Sequence, residues 1–102
     1  MNEDLHDRIV EMLKTIYDPE LPVNIYDLGL IYEIAPREDG SVDIKMTLTA
    51  PNCPAAGILP PQVQTRAEMV PGVTGARVEV VWDPPWTREM MSEAARLDLG
   101  ML

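Results

Sequence analysis

Phenylalanine is absent from this 102-residue chain, and cysteine and histidine occur once each, as Cys53 and His6. A single cysteine rules out an intrachain disulfide. It also rules out a four-cysteine zinc or iron–sulfur site built from one copy. A lone histidine close to the start of the chain removes the means for a multi-histidine metal site or a histidine-based triad. Basic residues are scarce: 8 Lys and Arg stand against 17 Asp and Glu, a net charge of −9. A phosphate-binding surface needs clustered cations, so neither a nucleic acid nor an anionic membrane is an expected partner. No apolar run approaches the roughly 18 residues that cross a bilayer. Internal repeats, low-complexity tracts and Gly/Ser linkers are missing too. The opening Met1-Asn2-Glu3-Asp4 is acidic, unlike the basic start of a signal or transit peptide, and a cytoplasmic location is the expectation.

What is present reads as one globular domain over residues 1–102. Hydrophobic residues make up 46 % and charged residues 25 %, close to globular averages. A chain of this length buries about two-thirds of its unfolded surface, enough for one core. The 10 prolines are about twice the usual share and point to several stiff turns.

Leu5, Ile9, Met12, Leu13 and Ile16 share one face of a helix that is predicted to stop around Tyr17, because Pro19 pushes Asp18 out of the α region. A Pro-punctuated loop over 18–27 follows, then a strand over 28–35. Asp39-Gly40 marks a turn. Val42, Ile44, Met46 and Leu48 then alternate with Asp43, Lys45, Thr47 and Thr49, which predicts a strand with one buried and one polar face. The two strands are expected to pair as an antiparallel hairpin. Val63, Ala67 and Val70 resume helical spacing, with Pro61 tolerable in the first turn. Ala76, Val78, Val80 and Trp82 predict a third strand, and Thr87 is the expected cap of a last short helix. The order α-β-β-α-β-α gives an α+β, two-layer sandwich: a small three-stranded sheet with helices on one face.

Cys53 sits in Thr49-Ala50-Pro51-Asn52-Cys53-Pro54, between a strand end and a coming helix. Backbone N–H groups at such a junction favour a thiolate, which is a metal ligand, a sulfur acceptor or a nucleophile. The plainer reading is a small buried hydrophobe. Asp18 and Glu20 flank Pro19; they suit a metal or thiol-side role, and Asp before Pro is equally a turn former. Thr49 is near enough in sequence to hydrogen-bond the sulfur, and it is also ordinary on a strand face. Asp83-Pro84-Pro85-Trp86 and Met90-Met91 combine a stiff loop with adaptable apolar side chains, so Trp86, Met90 and Met91 are candidates for a partner surface. The alternative is that Trp86 pins the last helix to the sheet.

The stretch from Asp18-Pro19-Glu20-Leu21-Pro22 through Asp27-Leu28-Gly29-Leu30-Ile31-Tyr32 resembles the signature of the small metal–sulfur cluster assembly family that includes SufT and PaaD-like proteins. Thr47-Leu48-Thr49-Ala50-Pro51-Asn52-Cys53-Pro54 is similar to that family's cysteine loop. Val70-Pro71-Gly72-Val73, Asp83-Pro84-Pro85-Trp86 and the ending 90–101 resemble the SufT branch. Cys53 is followed by Pro54 and Ala55, where that branch tends to carry Gly and Met. The resemblance implies a role in iron–sulfur protein maturation and no enzymatic activity. It implies one site formed by Asp18, Glu20, Thr49 and Cys53.

On that basis Cys53 is the expected metal ligand, joined by a carboxylate from Asp18 or Glu20. The cargo is a transient iron–sulfur cluster or iron, with no firmly bound cofactor. The expected partners are the assembly machinery and client apo-proteins, and a homodimer would supply a second thiolate. Two rivals stand beside this reading. One is a structural adaptor that binds maturation proteins without metal. The other is a thiol enzyme using Cys53, which lacks a nearby histidine base.

Overall fold

The β-branched and apolar alternation at 42–46 meets its physical consequence in the middle strand of the sheet. A computed structural model describes residues 2–19, 21–49 and 54–100. Among the described residues, three α-helices and three strands run in the order α1 (Asn2–Leu13), β1 (Ile31–Pro36), β2 (Ser41–Met46), α2 (Leu59–Glu68), β3 (Gly75–Val80) and α3 (Glu93–Asp98). The sheet order is β1-β2-β3. β1 pairs antiparallel with β2, and β3 pairs parallel with it. The sheet is therefore mixed, with the expected hairpin at one edge and a β-α-β crossover through α2 at the other.

Register explains which face is which. Ile34, Ile44 and Val78 lie side by side across the three strands, as do Pro36, Val42 and Ala76. Val42, Ile44 and Met46 are sealed from solvent. α2 packs on β3, and α1 packs on β1 and α2, so both long helices cover this apolar face. Ile9, Leu13, Val63 and Ala67 are fully buried between the layers. The opposite face carries the rows Glu33–Lys45–Glu79 and Ala35–Asp43–Arg77. Opposite charges alternate there, and Arg37 pairs with Asp43. This salt bridge holds the Asp43 carboxyl below the usual carboxylate range. The hairpin turns at Gly40, whose φ of 91° suits glycine; a Cβ there would come within 2.6 Å of the Gly72 carbonyl oxygen.

Four expectations are corrected. α1 ends at Leu13, not near Tyr17, because Thr15 and Ile16 already bond three residues back and Tyr17 pairs with Asn24 in an isolated bridge. β1 begins at Ile31; Leu28 and Gly29 belong to a turn and Leu30 links it to the strand. β3 ends at Val80, leaving Trp82 beyond it and 46 % exposed. The cap of α3 is Ser92, whose hydroxyl accepts from the Ala95 N–H at 3.1 Å; Thr87 instead precedes a separate 3-10 turn at Arg88–Met90. Pro60 and Pro61 both fall in the first turn of α2, where their missing N–H groups cost little.

Ile44→Ala removes a side chain packed from both layers and is expected to lower unfolding stability by about 2–5 kcal/mol. Lys45→Ala on the charged face should stay within about 0.5 kcal/mol. Urea denaturation of the two variants checks this difference.

Candidate functional site

Two of the expected site residues, Asp18 and Thr49, belong to segments at the C-terminal end of β2. In open α/β sheets ligands favour this end, since the loops that leave the strands open there. Beyond Met46 the strand pairing continues irregularly. The Thr47 N–H donates to the Leu30 carbonyl at 2.8 Å, the Leu30 N–H to Ile25 at 3.1 Å, and the Ile25 N–H to Ile16 at 2.8 Å. This relay extends the end of the sheet with two loop segments. Ile16, Ile25, Leu28 and Leu30 are fully buried, so the relay is anchored in the core.

The acidic turn hangs from the outermost segment. The Asp18 N–H donates to Val23 at 3.2 Å, and the Leu21 N–H donates to Asp18 Oδ1 at 3.1 Å. Asp18 is only 6 % exposed. Its carboxylate thus does what the turn reading expected and is held in one place by doing so. Asn24 organises the next turn: its Nδ2 donates to Asp27 Oδ2 and its Oδ1 accepts from the Asp27 N–H, each at 2.8 Å. Thr49 lies two residues past the relay, half-buried, on the segment that leads to Cys53. Glu20 and Cys53 lie outside the described residues. The residue after Cys53 opens a short 3-10 turn, Pro54–Gly57, which leads into α2. The fold therefore brings Asp18 and Thr49 to one end of the sheet. Among the described residues, no group of three or more His, Cys, Asp or Glu is placed to hold a metal ion.

The segment after β3 crosses the same end. Trp86 Nε1 donates to the Leu28 carbonyl at 2.7 Å. The Ser92 N–H donates to Asp27 at 2.8 Å. Tyr32 donates from its hydroxyl to the Pro84 carbonyl at 2.7 Å and also contacts Met90 Sδ at 3.4 Å. A bulge between Ile31 and Glu33 makes Tyr32 the extra residue of β1 and aims it at this segment. Gly29, with φ of 88°, lets Met90 approach: a Cβ at position 29 would stand 2.5 Å from the Met90 carbonyl oxygen. Trp86 thus ties the segment after β3 to the 24–30 turn, where the second reading had it pin the last helix to the sheet. Met91 is 5 % exposed and belongs to the core, which takes it off the expected partner surface. Its burial follows from the docking of the segment on the 24–30 turn.

Sequence reasoning placed Thr47 on the polar face, yet it is fully buried. The face that is open at Asp43 and Lys45 is closed at Thr47 by Tyr32. The Thr47 hydroxyl makes no hydrogen bond of ordinary geometry but lies near enough to favour the Tyr32 phenolate. Burial outweighs it and raises the Tyr32 pKa above its ordinary 10.0. The roles of Tyr32 and Gly29 were missed. The only local signal for them was a glycine inside an apolar run, the usual mark of a bulge or a close backbone approach.

Comparison with known proteins fits this geometry. The family described as "Iron-sulfur cluster assembly protein" matches residues 6–80. An Fe-S protein maturation auxiliary factor of Porphyromonas gingivalis is 53 % identical over 94 residues, 92 % of this chain and 90 % of that one. The Fe-S protein maturation auxiliary factor SufT of Staphylococcus aureus is 38 % identical over 86 residues, covering 84 % and 98 %. A crystal structure of a domain of unknown function, DUF59, from Bacillus anthracis superposes with a TM-score of 0.92 at 37 % identity, over 99 % of this chain and 96 % of that one. An iron–sulfur cluster carrier protein of Deinococcus radiodurans is 33 % identical over 75 residues, 74 % of this chain but 21 % of its own length.

Two outcomes test the docking. Gly29→Ala combines a left-handed backbone with a clash against main chain. It should lower the denaturation midpoint clearly and, in a Trp82→Phe background, shift Trp86 fluorescence to the red as the segment lifts. The second concerns pH. A raised pKa in the fold means that the unfolded chain loses the phenolic proton first. Tyr32's contribution is therefore intact below pH 10.0 and is lost as pH climbs through the folded value. Tyr32→Phe should flatten the alkaline limb of stability against pH.

Proposed function

This chain belongs to the iron–sulfur cluster assembly protein family, and from that membership we propose that it matures iron–sulfur proteins by holding its cargo briefly at the C-terminal end of β2. It is an iron–sulfur protein maturation factor of the SufT type; its relatives are named maturation factors or carriers and not enzymes. The observation that carries the site is the hydrogen-bonded relay that fixes Asp18 at the same end of the sheet as Thr49 and the start of the cysteine loop.

In the proposed mechanism the Cys53 thiolate is the one soft ligand. A carboxylate from Asp18 or Glu20 completes part of the shell, and Thr49 supports the sulfur with its hydroxyl. Thiolate suits iron–sulfur cargo, whereas carboxylate oxygen is a harder and weaker partner for it. A shell of one sulfur and one or two oxygens is incomplete, so it exchanges ligands readily with an acceptor that offers more thiolates. Affinity that depends on deprotonated ligands also makes loading and release sensitive to pH. Iron or a cluster is thus cargo passed on, and no resident cofactor is required. The partners on this reading are assembly proteins, client apo-proteins and a second copy of the chain. The site of action is the cytoplasm. No helix among the described residues is long and apolar enough to cross a membrane.

Complementation tests the thiol directly. In a strain lacking this protein, Cys53→Ala is expected to leave iron–sulfur enzyme activity at the level of the deletion, while circular dichroism and thermal melting stay those of the parent. Full support of those enzymes by Cys53→Ala would end the ligand role and leave the metal-free adaptor in its place.

A further inference from the structure

β3 is an edge strand, and its open side is patterned. The Val81 N–H donates to the Met46 carbonyl at 2.8 Å. In a parallel ladder that bond fixes the parity: Arg77 and Glu79 turn their backbone groups toward β2, while Ala76, Val78 and Val80 turn theirs outward. Among the described residues, the Ala76 N–H meets Glu68 Oε2 there, at a long 3.4 Å. By that parity the Val78 and Val80 N–H groups face away from β2, with no strand on that side among the described residues. Unpaired edges of this kind are templates for another strand.

We infer that β3 pairs antiparallel with β3 of a second copy, about a two-fold axis through Val78, to make a six-stranded sheet. Three features of the edge agree with this register. Placing Val78 opposite its own copy puts Ala76 opposite Val80, so every outward residue meets an outward residue and the backbone groups match. The same register puts Arg77 opposite Glu79 of the other copy, twice by symmetry. Within one chain the charged face already runs Glu33, Lys45, Glu79 across the strands. Across the axis the row continues with Arg77 and Asp43 of the second copy, so signs alternate without a break over five residues. On the other face Ile34, Ile44 and Val78 meet their symmetry mates, and both helical layers stay on one side. A chain of net charge −9 repels itself in general; this edge is where its local charges are self-complementary. Glu68 would yield the Ala76 N–H to a partner carbonyl.

The geometry has a consequence for the proposed site. Antiparallel pairing sends the C-terminal ends of the two β2 strands to opposite ends of the sheet. The dimer therefore carries two separate cysteine loops and does not merge them into one site with two thiolates.

The test uses the full chain without cargo. Sedimentation equilibrium from micromolar to near-millimolar protein should show mass rising from 11.4 kDa toward twice that value. Amide exchange should show Val78 and Val80 becoming protected with concentration, while Arg77 and Glu79 are protected throughout. R77E and E79R each turn two attractive cross-strand pairs repulsive and should weaken the dimer roughly tenfold or more. The double variant R77E/E79R restores both pairs and should restore the dimer. Each reversal also loosens the chain's own pairing with Asp43 or Lys45, so a merely structural effect would grow in the double variant, the opposite of rescue. Monomer mass at all concentrations overturns the inference. So does unchanged dimerisation in R77E, a double variant no better than the singles, or protection of Val78 and Val80 only when a different protein supplies the strand.

Discussion

The relay from Thr47 through Leu30 and Ile25 to Ile16 is the constraint on which the rest of this molecule depends. A three-stranded sheet is small, and its end would normally fray into solvated loops. Here two loop segments are hydrogen-bonded to it in turn, and their apolar side chains are sealed in the core. That arrangement turns a Pro-punctuated loop into a rigid extension of the sheet. It fixes the acidic turn relative to the segment that carries Thr49 toward Cys53. The proposed function, in which cargo is bound and then released, gains from such rigidity, because the geometry persists when the cargo leaves.

Much of this architecture is legible in the residues alone, for identifiable reasons. The alternation at 42–46 is a period of two imposed by one covered face, and the burial of Val42, Ile44 and Met46 follows it residue by residue. The spacing of Val63 and Ala67 likewise survives in α2. The readings fail where tertiary contacts override local pattern. Thr47 continues the polar alternation in sequence, but Tyr32 closes over it. Ile16 continues the helical spacing and is buried as expected, yet it is reached by a non-helical backbone that must offer its carbonyl to Ile25. Ser92 displaces Thr87 as the cap because the chain first makes a separate turn through Met90. Of the four residues assigned to the site, the pattern and the resemblance identify all, but only Asp18 and Thr49 fall within the described residues. Their shared end of the sheet reflects long-range pairing that no local spacing encodes.

The family match stops at residue 80, where the segment after β3 begins. The SufT-type relatives and the B. anthracis structure nonetheless extend over most or all of this chain. The contacts of this segment say what it does in the fold. Trp86, Met90 and Ser92 all bind the turn between Asn24 and Leu30, the same turn whose backbone forms the relay. Trp86 Nε1 and the Ser92 N–H are spent on main-chain carbonyls of that turn, and Met91 is spent on the core. A docked segment of this kind stiffens the end of the sheet opposite to the hairpin and leaves its own outer surface, with Trp82 and Leu97 exposed, for other contacts.

Edge and end therefore divide the work of this fold. The end of the sheet is built from loops, prolines and turns, where a strand cannot continue and side chains are free to converge on cargo. The edge is built from a regular strand whose outward backbone groups and alternating charges address another strand. These two requirements conflict if they fall at one place, since a strand added at that end would occupy the space the proposed cargo needs. The parallel β2–β3 connection keeps them apart: α2 carries the chain from the cysteine loop back to the far end, so β3 begins remote from that loop and presents its edge along the side. Each copy in a β3-paired assembly keeps its own end of β2 clear of the added strand.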